Sequence, residues 1–205
     1  MRLSWLTYTA LVAGFLLAAF GLGFFLITLF REAGLGIFIA VAALMLSAFI
    51  VAVLWSITFG APFVPVPDDR LAGLLRLADL KPGEVFFDLG SGDGRVLIEA
   101  ARRGARAEGW EINPYLCLWT ALAARLAGVG GRVKVHWMSY DFAPYEQADV
   151  IAMYLLPSQM KSFEPRLRGR MRSGSRVVAA SFKFPTWPPA GEDSGSRLYL
   201  VGRDS

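Results

Sequence analysis

The sequence predicts a pair of apolar helices followed by an α/β domain built on a doubly wound, mostly parallel sheet. Three observations carry that prediction. Two long stretches, Leu3–Phe30 and Ala33–Pro67, contain no charged residue. Beyond them, short apolar and aromatic runs alternate with stretches of helical periodicity. Between the first such run and its helix stands "DLGSGDGR", residues 88–95, a turn that holds three glycines and two aspartates.

Each uncharged stretch exceeds the roughly 20 apolar residues that a bilayer-spanning helix needs. Arg31 and Glu32, beside Gly34 and Gly36, form the turn between them, so residues 1–60 read as a two-helix transmembrane hairpin. A cleaved secretory signal is the rival reading of the first stretch. Its apolar run is too long for that, and a second one follows at once. Two ordinary core helices fit poorly, because helices apolar all round need a larger protein to cover them. With two spans, both chain ends lie on one side. Arginine is abundant after residue 70, whereas the connecting turn carries only Arg31, so the positive-inside rule places the domain in the cytoplasm. The lone cysteine, Cys117, excludes an internal disulfide and agrees with a reducing compartment.

Residues 61–70 contain Pro62, Pro65 and Pro67, which stop the second helix and favour extended chain, a stiff linker into a domain spanning 71–205. That domain opens with a helix at 71–80 and a turn at Lys81-Pro82-Gly83, then a buried strand at 84–89. The glycine turn leads to a helix at 95–103, with Gly104 as its C-terminal cap. A strand at 105–112 precedes Asn113-Pro114, an N-cap followed by proline at the first helical position, and that helix runs to about 127. Strands follow at 132–138 and 148–155, a helix at 158–171, and strands at 175–182 and 197–202. Residues 185–196, rich in proline, glycine and serine, read as a loop that returns the last strand antiparallel at the sheet edge. In such sheets ligands bind at the carboxyl ends of the strands, near the topological switch point.

Gly90, Gly92 and Gly94 let backbone approach a ligand closely. The spacing is G-x-G-x-G, with Arg95 where a dinucleotide fingerprint would have its third glycine, and no Lys-Ser/Thr follows as in a phosphate-binding loop. Asp88 and Asp93 flank the turn, which disfavours a phosphate and favours a cationic ligand.

This segment resembles motif I of the class I S-adenosylmethionine-dependent methyltransferases, Rossmann-like enzymes whose cofactor carries a sulfonium and an ammonium. The resemblance implies cofactor contacts at Asp88, Gly90, Ser91, Gly92, Asp93, Gly94 and Arg95. It continues in "GWEINP", where Glu111 stands at the position of the acid that binds both ribose hydroxyls, with Asn113 beside it, and in "SYDF", where Asp141 stands at that of an acid contacting the adenine amino group. Bland alternatives exist for each: Asp88 anchors its own turn through backbone amides, Glu111 serves a helix dipole, and Asp141 is a loop acid.

The blocks "PFVPVP", "EINPYL", "YLLPSQM" and "SFKFPTW" narrow the likeness. Together they resemble the small membrane-anchored protein-lysine methyltransferases that modify the mitochondrial ATP synthase c-subunit and adenine nucleotide translocase, in a bacterial-type member. Implied are methyl transfer from S-adenosylmethionine, a membrane-associated protein substrate, an acceptor site at Tyr154 and Pro157, and a pocket wall of Pro65, Phe184, Pro185 and Trp187. Tyr154 either orients the amine or only packs, and an aromatic-proline loop is commonly a packed corner. With about twenty residues after Phe184, the class I sheet is expected to be truncated at its C-terminal edge.

Lys161, Arg166, Arg168, Arg170, Arg172 and Arg176 form a basic stretch that either rests on anionic lipid headgroups or is a solvated helix face. The net charge of +4 is small, and nucleic acid is not an expected partner of a chain bound to a lipid bilayer. His136, the only histidine, lies in a strand without a matched ligand set and reads as structural, so no metal site is expected. A methyltransferase for a membrane-dissolved small molecule and a non-catalytic cofactor-binding module are the competing functional readings.

Overall fold

The computed structural model describes residues 21–26, 28, 36–39, 41–47 and 64–202. By contact the chain divides into two units, Met1–Leu54 and Trp55–Ser205. In the first, residues 21–26, 36–39 and 41–47 are helical. The predicted transmembrane hairpin lies mostly outside the described residues, and among the described ones no helix is long and apolar enough to cross a membrane.

Among the described residues the second unit carries seven strands: β1 (Val85–Leu89), β2 (Arg106–Glu111), β3 (Val133–Trp137), β4 (Val150–Met153), β5 (Arg176–Ala180), β6 (Gly191–Asp193) and β7 (Ser196–Leu200). Their order is β3-β2-β1-β4-β5-β7-β6, and the first five pair in parallel. The chain moves outward through β2 and β3, then returns to place β4 beside β1. The crevice at the carboxyl ends of β1 and β4 is therefore the switch point.

Among the described residues four helices cover the sheet: α1 (Asp68–Ala78), α2 (Arg95–Arg102), α3 (Pro114–Leu126) and α4 (Pro157–Arg170). Helix α1 begins inside the predicted linker, with Asp68 and Asp69 in its first turn and Arg76 in its last, each suited to the helix dipole. Asn113 caps α3 by accepting from Tyr115 N at 2.9 Å, and Pro114 opens the helix. Strand alternation divides the core. Phe87, Leu89, Trp110 and Met153 join Met160 and Phe163 of α4 on one face. Phe86, Ala107 and Ala152 join Leu74, Leu97 and Ala124 of α1, α2 and α3 on the other.

The expected truncation is corrected by the structure. Residues 191–193, read from sequence as loop, form β6, which pairs antiparallel with β7. Ser194 and Gly195 join the two strands, and both have positive φ, 48° and 77°, as a two-residue primed turn requires. All seven strands are present. Among the described residues it is a helix between β5 and β6 that is missing.

Of the two readings of the basic stretch 161–176, the solvated helix face agrees better with the ion pairs, because its arginines are largely neutralised in place. Arg166 pairs with Asp141, Arg170 with Glu146 at 3.2 Å, Arg172 with Asp149 at 2.8 Å and Arg176 with Glu84, while Arg168 stands 3.9 Å from Glu164. It is a row of ion pairs, not a free cationic face.

Helix α1 seats the β6–β7 hairpin through Gly73, where a Cβ would lie 2.5 Å from the Asp193 carbonyl oxygen. Gly73→Ala is expected to lower stability by about 1–2 kcal/mol despite the better helix propensity of alanine, because overpacking against backbone outweighs that gain. A thermal unfolding midpoint equal to or above that of the parent would contradict this packing.

Candidate active site

At the switch point the chain surrounds a cavity of about 270 Å³, at the lower end of small-ligand sites. Its floor is the glycine turn. Gly90 N and Ser91 N both donate to Trp110 O, at 3.0 and 3.1 Å, so the turn hangs from the end of β2. Gly90, Gly92 and Gly94 all have positive φ, between 54° and 80°. A Cβ on Gly94 would lie 2.7 Å from Thr120 Oγ1, and the same hydroxyl donates to Gly92 O at 3.1 Å. Sequence reasoning overlooks Thr120. Its one signal is a hydroxyl on the otherwise apolar buried face of α3.

Asp88 is 4% exposed, and its Oδ2 has no hydrogen-bond partner. The anchoring alternative is not what the structure shows, since Trp110 O takes the nearest turn amides. Burial first, then the neighbouring Asp93 and Glu111, push the Asp88 carboxyl up to about 8. Ser91 Oγ, also buried at the cavity, is likewise without a partner.

Glu111 closes the far side. Its Oε2 accepts from Gly92 N at 3.0 Å and its Oε1 from Asn113 N at 2.8 Å. With Ile112 N also close to the carboxylate, the two oxygens together keep lone-pair capacity for a ligand hydroxyl. Burial raises its pKa, opposed by these backbone hydrogen bonds.

Two acids behave differently from the expectation. Asp93 lines the cavity but is held by Arg95, with Nη2 at 2.7 Å and Nε at 2.9 Å from Oδ2, and Arg95 Nη1 donates to Val66 O at 3.2 Å. This pair clips the linker over the turn and presents no naked charge. Asp141 does not line the cavity. Ser139 Oγ caps the short 3-10 turn Tyr140–Phe142 and donates to Asp141 Oδ2 at 3.0 Å, which directs the carboxylate outward to Arg166. Ser139 and Tyr140 form that part of the wall instead. The Tyr140 hydroxyl accepts from Gln159 Nε2 at 2.6 Å, and Gln159 Oε1 accepts from Leu156 N at 3.0 Å.

Of the expected acceptor residues, Tyr154 and Pro65 line the cavity. Pro157 does not. It is the first residue of α4 and is exposed. Pro185 is exposed outside the lining, and Phe184 and Trp187 are core residues that pack on Tyr199 with ring centroids 4.7 and 5.3 Å away. Glu164, buried on α4, accepts from Thr186 N at 3.1 Å and holds that corner down. Phe182, just past the end of β5 at Ala180, takes the place in the wall expected of Phe184.

His136 stacks on Trp110 at 4.7 Å, and its Nε2 lies 2.7 Å from Glu108 Oε2. Among the described residues no group of three His, Cys, Asp or Glu side chains is placed to hold a metal ion.

A buried carboxyl without a partner, a glutamate with spare lone pairs and a bare main-chain turn fit a ligand that brings both positive charge and hydroxyls. The strand order, with β7 antiparallel inside the far edge, and this site define a class I S-adenosylmethionine-dependent methyltransferase. Residues 88–191 match the model of the ANTKMT methyltransferase domain, and the chain belongs to that family. It is 34% identical over 128 residues to the Mus musculus lysine N-methyltransferase of the ATP synthase c-subunit, covering 62% of this chain and 51% of the relative. To a protein-lysine N-methyltransferase of Saccharolobus islandicus it is 30% identical over 130 residues, covering 62% of this chain and 81% of that one. The chain thus spans about half the length of the mouse relative it matches. The structure resembles an RNA methyltransferase from Salinibacter ruber solved with S-adenosyl-L-homocysteine, with a TM-score of 0.64 and 34% identity, covering 69% of this chain and 97% of that chain.

S-adenosylmethionine is the cofactor, and it supplies a methyl group on a positively charged sulfur. Asp88 would stand opposite positive charge and Glu111 would take ribose hydroxyls.

The raised Asp88 pKa has a definite sign for stability. The unfolded chain ionises Asp88 near its ordinary 3.8, while the native state holds the proton to about 8. Asp88 therefore costs the native state progressively more as pH rises between these values, and the cost is constant above them. Asp88→Asn removes it, so the variant's stability relative to the parent is expected to climb from pH 4 to 8 and then level. Denaturant titrations across that range check it, and a constant difference would refute the buried, unpaired carboxyl.

Proposed function

We propose that this protein is a membrane-anchored protein-lysine N-methyltransferase acting on a membrane-associated protein. The observation that carries the reading is the family match together with the mouse and Saccharolobus relatives, both of them lysine N-methyltransferases. The two uncharged runs at 3–30 and 33–67 support a two-pass anchor, and the arginine-rich remainder supports a cytoplasmic domain.

The mouth of the cavity supports an amine acceptor. Tyr154 follows β4 at the wall, and Pro65, Leu156 and Phe182 add apolar surface around it. An ordinary lysine holds its proton to about 10.4, so the residues at the mouth must admit the neutral amine and keep water out. Positioning by Tyr154 and the apolar rim does most of this work, and no dedicated base is required of the chain.

RNA is the second reading, favoured by the similarity to the Salinibacter RNA methyltransferase over nearly the whole of that chain. A membrane-dissolved small molecule is the third. Membranes incubated with the enzyme and methyl-labelled S-adenosylmethionine separate them: label is expected in acid-stable N-methyl-lysine of a protein band. Label confined to RNA or to the lipid extract would contradict the proposal.

Tyr154→Phe is expected to leave S-adenosylhomocysteine affinity unchanged and to lower kcat by up to about 100-fold, the size of effect that misplacing an acceptor produces. Unaltered turnover would reduce Tyr154 to packing.

A further inference from the structure

We propose that the outer face of α3 is a docking surface for a lipid bilayer with anionic headgroups, a contact made by the catalytic domain itself and resting on the membrane reading above only for the anchor. Tyr115, Leu118, Leu122 and Leu126 recur at intervals of three and four residues along α3, the spacing of one helix face. They are between 47% and 78% exposed, whereas Cys117, Thr120 and Ala124 on the other face are buried in the domain. Scattered exposed leucines are ordinary, but an aligned row is the mark of an interaction surface. The row continues onto the sheet edge. Trp137 is 68% exposed, and its Nε1 donates to Ile112 O at 3.0 Å, which lays the indole beside the first turn of α3.

Charge decides what covers this face. Neither α3 nor β3 contains an acidic residue. Arg125 on α3 and Arg132 just before β3 are exposed and have no ion-pair partner among the described residues, whereas the arginines of α4 stand beside carboxylates. Aliphatic residues, an interfacial tryptophan and unneutralised arginines together are the pattern of a helix lying in a membrane interface. A second copy of this chain would present the same face, whose elements carry no acid, and would bury the arginines without counter-ions. Phosphate headgroups supply those counter-ions, each arginine near an anionic surface contributing about 1 kcal/mol. Ile112, Asn113 and Leu116 belong to the cavity wall, so docking through α3 brings the cofactor site to the bilayer surface.

The test uses the full chain in a Cys117→Ala background, with Leu118→Cys carrying an environment-sensitive fluorophore and Lys161→Cys, on α4 at the opposite face of the sheet, as the reference. Each protein is reconstituted into phosphatidylcholine–phosphatidylglycerol vesicles with or without doxyl-labelled lipid. S-adenosylhomocysteine binding by each labelled protein establishes that it is folded. A blue shift and loss of most fluorescence to the doxyl lipid at position 118, none at 161, and a reduced loss when Arg125→Glu and Arg132→Glu are added, is the expected result. A chain that floats with the vesicles while the probe at 118 stays accessible to water overturns the docking face and leaves the anchor standing. A chain that stays out of the vesicle fraction overturns both. A probe shielded from aqueous quencher but untouched by doxyl lipid means that protein covers the face, either a second copy or the chain's own N-terminal residues, and also overturns the proposal.

Discussion

The carbonyl of Trp110 sets the terms for the rest of the site. By accepting from both Gly90 and Ser91 it fixes the glycine turn to the end of β2, and Asp88 Oδ2 remains buried without a partner. A buried polar group without a partner costs free energy comparable to a lost hydrogen bond. Under the proposed function, a positively charged ligand would supply the missing interaction. Glu111 reinforces the arrangement by holding Gly92 N, and Thr120 holds Gly92 O, so the turn is fixed from β2 and α3 together.

The surrounding packing serves this geometry. The Trp110 ring is clamped between Phe87 and His136, which fixes the end of β2 and hence its carbonyl. Gly109, one residue earlier, leaves room for Leu97 of α2 and for Ser91, each of which a Cβ would meet at 2.5–2.6 Å. The Asp93–Arg95 pair then ties the linker to the turn through Val66 O. Cofactor floor, linker and helix thus form one mechanically continuous unit, and the acceptor side, with Tyr154 and Phe182, is built on the neighbouring strand ends.

Much of this was legible in the sequence because it depends on local chemistry. Glycines that need positive φ, the Asn113-Pro114 helix start and the alternation of strands with helices are short-range signals, and they located the sheet and put Asp88 and Glu111 near the carboxyl ends of β1 and β2. What failed depends on long-range partners. Asp141 reads as a strand-end acid, but Arg166, 25 residues away, turns it outward. Phe184 and Trp187 read as a pocket wall, but Tyr199 and Glu164 hold them in the core. Which of its two readings the basic stretch 161–176 takes was likewise not legible, because most of its carboxylate partners lie on other elements. Strand β6 is three residues long, too short for alternation to register, although Ser194-Gly195 offered a turn signal.

The most direct test of the central claim is calorimetry of S-adenosylmethionine binding at pH 7 in two buffers with different ionisation enthalpies. With Asp88 held protonated to about 8 in the empty site, a cationic ligand is expected to expel about one proton, and the apparent binding enthalpy to differ between buffers accordingly. Binding with the same enthalpy in both buffers would contradict a buried, unpaired carboxyl as the group that receives the positive charge.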